Sequence, residues 1–273
     1  MSARMIAGVR GPAMRVLARA ALVMLPLTAW AGDEPEPISP DRASGSVSTS
    51  TVGPGVVQLE TGLEYSHQRF GGSPTQRRFA IQAAVRGGLT DRLELDVDGE
   101  PLVSVSGSDD ATSIGVLQLN AKYRFFDAGP DSWLPSLGVQ PFVKLPVARE
   151  PIDSGKTDFG TLFLASFLLP GRFNVDLDAG MAANGQSRPH GYLMQAQAAL
   201  GLSRDVAEAV TLFTDAFYAS RADRAGRDSL GLDAGVVWRL TRDVALDASV
   251  VTSLIGQGPD WAVRAGVSVR FGH

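Results

Sequence analysis

From Val56 onward the chain repeats one pattern: apolar and polar residues alternate for about ten positions, and then the alternation breaks. VQLETGLEY (57–65) sets Val57, Leu59, Leu63 and Tyr65 against Gln58, Glu60 and Glu64. RLELDVD (92–98) opposes Leu93, Leu95 and Val97 to Arg92, Glu94, Asp96 and Asp98. LQLNAKYRFF (117–126), FNVDLDAGM (173–181) and LGLDAGVVWRL (230–240) do the same. Successive side chains of a strand point to opposite faces, so a period of two predicts strands with one apolar and one polar face. Seven further segments follow at 76–88, 135–147, 158–169, 190–202, 208–220, 243–255 and 260–271, which makes twelve. FGTLFLASFLL (159–169) is apolar on both faces, so the pattern leaves its register open. No stretch beyond residue 31 holds a 3.6-residue period long enough to compete.

The breaks alternate in character. GGLTDR, LPGR and RLTRD are tight, with Gly or Asp at turn positions, and FFDAGPDSW and LSRDVAEA are a little longer. Between them come SHQRFGGSPTQ, SGSDDATS, AREPIDSGKT, ANGQSRPH, SRADRAGRD and IGQGPD, all polar and rich in glycine or charge. Short turns at one end and long loops at the other describe an up-and-down outer-membrane barrel. Aromatics gather near strand ends, as interfacial girdles require: Tyr65, Phe79, Tyr123, Phe125, Tyr192, Tyr218, Trp238, Trp261 and Phe271. The apolar faces are nearly free of charge, and closure removes the edges that an open sheet of this size would expose. The expected fold class is therefore all-β: a transmembrane, antiparallel, up-and-down barrel of about twelve strands. An even strand count places both termini at the short-turn end. WAVRAGVSVRF (261–271) is then the closing strand, pairing with the strand at 56–66.

Composition narrows the reading. There is no cysteine, so disulfides and thiolate metal sites are excluded. Arg4, Arg10, Arg15 and Arg19 precede an apolar run, ALVMLPLTAWA (21–31), ending in the small-x-small pair Ala29 and Ala31. This is export-signal architecture, and its core is too short to span a bilayer. Met14 is a second candidate start. Cleavage after Ala31 removes four arginines and no acidic residue, taking the formal net charge from -4 to -8. An acidic exported protein lacks the basic footprint that nucleic acid requires. The expected organisation is a signal peptide at 1–31, an extended periplasmic leader rich in Pro, Ser, Thr and Gly at 32–54, and the barrel at 55–273.

Several phrases carry a family resemblance: TVGPGVVQLETGLEYS, GLTDRLELDVDGEP, AKYRFF, WRLTRDVALDASV and the ending DWAVRAGVSVRF. From about residue 51 to its end the chain resembles the bacterial outer-membrane barrel proteins of the phenol-degradation meta-pathway (MetA-pathway) family, described as transporters. The resemblance implies a Gram-negative outer-membrane location and uptake of small, often hydrophobic compounds, and it supplies no catalytic motif. It also implies that the barrel-assembly machinery reads the terminal aromatic, Phe271, which here is followed by Gly272 and His273.

Candidate chemistry lies on the polar faces. Inward positions are expected for Glu60, Glu64, Arg86, Glu94, Asp96, Asp98, Lys122, Arg124, Lys144, Asp176, Asp178, Asp215, Asp233, Arg239, Asp247, Arg264 and Arg270. Both signs are present, so these residues can brace the barrel as ion pairs, screen solutes by charge and size, or do both. Glu60 and Glu64 fall on the first strand and Glu94, Asp96 and Asp98 on the third, which are separated by the second. A hydrolase would need a nucleophile beside His67, His190 or His273, with Ser66 or Ser187 as candidates. The loop carboxylates Asp109, Asp110, Asp153 and Asp158 lack regular calcium spacing. The expectation is a monomeric channel, not an enzyme, for passive uptake of small aromatic or hydrophobic solutes. It sits in outer-membrane lipid, uses no cofactor or metal, and binds no nucleic acid. Competing classes are a surface protein acting structurally or adhesively through its extracellular loops, and an outer-membrane hydrolase. Barrels of about eight strands leave no aqueous channel and those of 16–18 do, so twelve implies a narrow or partly plugged pore.

Overall fold

The structure, a computed structural model, describes residues 37–69, 75–107, 110–129, 132–256 and 258–272. The export signal expected at 1–31 lies outside the described residues, as do residues 32–36, Asp109 and His273. The alternating segments form β1 (Val57–Gln68), β2 (Gln76–Thr90), β3 (Leu93–Ser106), β5 (Leu117–Phe126), β6 (Ser136–Lys144), β7 (Asp158–Leu169), β8 (Phe173–Gln186), β9 (Gly191–Ala207), β10 (Val210–Ala219), β11 (Ser229–Arg239), β12 (Val244–Ile255) and β13 (Trp261–Phe271). A short β4 (Ala111–Ser113) pairs only with β3 and stays outside the ring. Each of the other twelve pairs antiparallel with both of its neighbours, and β1 pairs with β13 from Val57↔Phe271 to His67↔Trp261. The sheet is a closed twelve-stranded barrel with no wall edge.

One face of this wall is apolar and exposed. Leu63 is 51% exposed, Phe163 60% and Val250 58%. An apolar band running around the outside suits lipid and would be an aggregation surface in water. Aromatics rim it at both ends. At the loop end Tyr65 and Trp261 lie 5.7 Å apart, and on the opposite wall Phe159 and Tyr192 lie 5.2 Å apart. Phe125, Trp238 and Phe271 stand at the turn end.

Three local departures separate wall from pattern. β9 runs on to Ala207, through the LSRDVAEA segment expected as a turn. The reason is that Leu200, Leu202 and Val206 continue its outward apolar row, leaving only Glu208 and Ala209 to turn. β6 ends at Lys144 rather than 147, and its ladder with β5 breaks between Asn120 and Tyr123, beside Pro141. Proline has no amide hydrogen to give a ladder. In β2–β3 the register shifts between Ile81 and Ala83, so Val103 and Val105 turn inward although Asp96 also points in. With Ala80 and Ile152 they form an apolar patch inside the loop end.

The largest departure precedes β1. The leader expected at 32–54 as periplasmic runs, over its described residues, inside the barrel. Ile38 and Ala43 pack on Phe213, Val237 and Ala245 of β10–β12. Arg42 reaches Gln82 on β2, Val47 N donates to Asp178 on β8 at 2.8 Å, and Thr49 N donates to Ser166 on β7 at 2.9 Å. Contacts with strands on opposite walls can be made only from the interior. Its backbone is irregular and buried, so the polar wall must satisfy its donors; an apolar interior could not.

A pair of glycines makes room for it. Gly62 and Gly266 face each other across the β1–β13 seam, and Arg42 lies against both. A Cβ on Gly266 would fall 2.5 Å from Thr61 O as well as on the Arg42 guanidinium. Gly266→Val is expected to destabilise the barrel by roughly 1–3 kcal/mol, the range for overpacking. Urea unfolding in detergent, followed by the heat-dependent gel shift of folded barrels, measures it. An unchanged midpoint would show that the seam does not seat Arg42.

Candidate functional site

The lumen is built from residues that share one parity on each strand, except where β3 changes face at its shift. Several groups of ionic contacts among the described residues line it. At its centre Arg86 Nε donates to Glu94 at 2.8 Å, Nη1 to Glu60 at 3.1 Å, and Nη2 lies 3.2 Å from Asp41. Lys122, with no exposed surface, bonds Asp41 and stands 3.7 Å from Glu94. Glu60 also accepts the Arg42 backbone N–H at 2.9 Å. The two acidic sets on β1 and β3 are therefore joined by the base of β2 between them, a linkage that strand order alone does not reveal.

Nearer the loop end, Glu64 accepts from Arg78 at 3.0 Å and from Arg264 at 2.7 Å, while Arg78 also holds Glu100. Lys144 bridges Asp153 at 2.8 Å and Asp158 at 2.6 Å, pinning the 145–157 loop whose Ile152 fills the apolar patch. At the turn end, Arg239 pairs with Asp205 at 3.2 Å, Arg270 with Asp243 at 3.0 Å, and Arg124 lies 3.5 Å from Asp127. These three arginines therefore sit at the mouth, below the mid-lumen. On the remaining wall Asp247 pairs with Arg42 of the inner segment. Asp98 accepts from Asn120, Asp176 from Ser166 and from Asn174, and Asp178 from Val47 N. Asp96 is buried on β3 with one unbonded oxygen.

Participants absent from the sequence-based set include Asp41, Arg42, Arg78, Glu100, Ser44 and Ser46, and at the mouth Asp127, Asp205 and Asp243. Arg78 shares the parity of Gln82 and Arg86 and was legible on that ground. The inner-segment residues have no alternation to announce them. Around this segment the lumen keeps separate cavities: one of about 570 Å³ against β7–β10 at the turn end, one of about 330 Å³ against β2 and β3, and two of about 360 Å³ nearer the loops.

The hydrolase candidates are not brought together. Ser66 points inward and His67, the next residue, points outward, stacked on Trp261 with Nδ1 3.5 Å from Asp260. Hydrogen bonds from Arg69 hold the Asp260 carboxyl below its ordinary value. His190 is exposed in its loop, and no hydrogen bond joins it to Ser187 among the described residues. No group of three or more His, Asp or Glu among those residues is placed to hold a metal ion.

The sequence profile of the family described as "Putative MetA-pathway of phenol degradation" matches residues 40–271. No curated protein matches the chain by sequence. Among solved structures, the COG4313 outer membrane channel from Pseudomonas putida F1 is similar at TM-score 0.66 and 14% identity, over 86% of this chain and all of that one. The β domain of the Bordetella autotransporter BrkA aligns at TM-score 0.53 and 12% identity, over 80% of this chain and 100% of its own. The NanC porin aligns at 0.50 and 10%, over 78% and 98%. At these identities the likeness is one of fold: the wall is of the outer-membrane barrel type.

Proposed function

Since the chain belongs to the MetA-pathway phenol-degradation family, we propose that it is a monomeric outer-membrane channel for passive movement of small solutes, with aromatic compounds as the solute class to test first. The observation that carries this reading is a charged, hydrogen-bonding interior wrapped in an exposed apolar band, with cavities left beside the inner segment. Water and polar solutes have partners inside, and lipid has partners outside. The turn end, where the described residues begin and end, faces the periplasm, and the long loops face the medium. Residues 1–31 direct export and are removed after Ala31. Glu60, Glu64, Glu94, Lys122 and Arg86 set the width of the passage together with the inner segment, and the barrel-assembly machinery inserts the chain.

The solved channel from Pseudomonas putida F1 supports the reading by its fold; the family's description supports the aromatic class. Purified protein in liposomes is expected to admit phenol-sized aromatics faster than disaccharides, each corrected for entry into empty liposomes and read by swelling rate. No faster entry of any solute than into empty liposomes would overturn the channel.

A further inference from the structure

The inner segment does not fill the lumen evenly. Against β10 it is held closely: Asp215 accepts from Ser44 Oγ at 2.9 Å and Ser46 Oγ at 2.6 Å, and Asp233 stands opposite Asp215 in register across β10–β11. Along β5–β8, towards the loops, it leaves a cavity of about 360 Å³ that Val47 alone of the segment reaches. The wall here is not only polar. Phe142 of β6, Leu162 of β7 and Ala182 of β8 all line it. Gly160 lies between Phe142 and Ala182 in register, and a Cβ there would fall 2.7 Å from Phe142 Cζ. The glycine therefore gives the ring room to lie along the wall, and an apolar floor results beside the ionic clusters.

Gln140 stands at the edge of this floor, opposite Leu162. It is 8% exposed, and its Oε1 has no hydrogen-bond partner. The other polar side chains that line the cavity are engaged. Gln118 donates to Asn120 at 2.8 Å, and Asn120 donates to Asp98. Gln195 Oε1 accepts from Asn184 at 3.0 Å and from Gln197 at 3.1 Å. Lys144 is held by Asp153 and Asp158. A buried acceptor left without a donor is costly, and a bound donor removes that cost. Gln140 also lines the 330 Å³ cavity, so the two spaces meet at its side chain.

The ligand chemistry follows from these neighbours. An anion would meet the carboxylates of Asp98 and Asp158, while the base on this wall, Lys144, is already paired. A hydrocarbon would cover the floor and leave Gln140 unsatisfied. A neutral ring with one hydroxyl does both: the ring lies offset or edge-on to Phe142, and its O–H donates to Gln140 Oε1. The volume is of the size that small-molecule pockets have. We infer that Gln140, Phe142 and Leu162 form a binding subsite for an un-ionised phenol, the place in the lumen where a hydroxylated ring is preferred to a bare one. Its position on a solute route rests on the channel reading; binding itself does not.

The whole mature chain in detergent tests the site, with para-fluorophenol as a fluorine NMR probe corrected for uptake by empty micelles. Phenol is expected to displace the probe at several-fold lower concentration than toluene, which lacks the hydroxyl, or cyclohexanol, which lacks the aromatic ring. Gln140→Leu should weaken phenol about fivefold more than toluene, the equivalent of one hydrogen bond. Its urea midpoint should not fall, because no protein group loses a partner. Phe142→Ala should weaken phenol and toluene alike. In crystals soaked in para-bromophenol, bromine anomalous density is expected over the Phe142 floor. No displaceable binding, or a map with water alone beside Gln140, overturns the site. Equal displacement by cyclohexanol overturns the aromatic assignment, and a Gln140→Leu variant that unfolds earlier yet keeps its phenol preference assigns Gln140 to the fold instead. Bound phenol in a barrel that admits no solute into liposomes keeps the site and overturns the channel.

Discussion

Arg86→Ala is expected to destabilise the folded barrel by about 3–5 kcal/mol, the range for removing one member of a buried charge group. Arg86 touches three carboxylates, those of Asp41, Glu60 and Glu94, and Glu60 and Glu94 have no exposed surface. Without it, Lys122 is left to face two of them, bonded to Asp41 and 3.7 Å from Glu94. Glu60 would retain only amide donors, from Gln58 and the inner-segment backbone. The loss comes from carboxylates stranded away from water rather than from the strength of any one pair. Neutralising Glu60 and Glu94 to Gln in the same variant should therefore restore most of the stability. Urea unfolding followed by tryptophan fluorescence and the gel shift reads both effects. A change below about 1 kcal/mol would mean that the cluster is hydrated enough to tolerate the gap.

Removing residues 32–54, with the export signal joined directly to residue 55, is expected to raise single-channel conductance several-fold. The segment touches β1, β2, β3, β5, β7, β8, β10 and β12, so it occupies the middle of the lumen and not one margin. Current through a pore scales with its free cross-section, which the segment reduces along with the inward side chains. The truncated barrel should also unfold at lower urea, because Asp178, Asp215 and Glu94 lose the donors that Val47, Ser46 and Val52 supply. Unchanged conductance would show that the segment does not obstruct the path.

The faces of the wall were legible because side-chain alternation is a local property. Once the backbone is extended, Glu94 and Asp96 must share one side and Leu95 and Val97 the other, whatever surrounds them. Closure was legible for a related reason: twelve amphipathic strands in lipid have no stable open edge, so Trp261–Phe271 had to meet β1. Alternation failed where the backbone departs from it. The β2–β3 register shift turned Val103 inward; it falls at Gly99-Glu100-Pro101, and Gly and Pro within a strand mark a bulge without saying which way the face turns.

What each inward charge does was decided only by the ring. Glu60 and Glu94 lie 34 positions apart in the chain and become one cluster because β2 stands between their strands and carries Arg86. Asp215 and Asp233 become a pair because β10 and β11 are neighbours in register. The course of the inner segment was least legible of all. It has no periodicity, and its place follows from donors and acceptors that exist only once the wall has closed: Asp247 for Arg42, Asp178 for Val47, Ser166 for Thr49. The sequence by itself determined the strands, their faces and the closing seam, because each is set by neighbours along the chain. The tertiary structure alone decided which charges are balanced and what fills the pore, because those contacts join residues that meet only across the lumen.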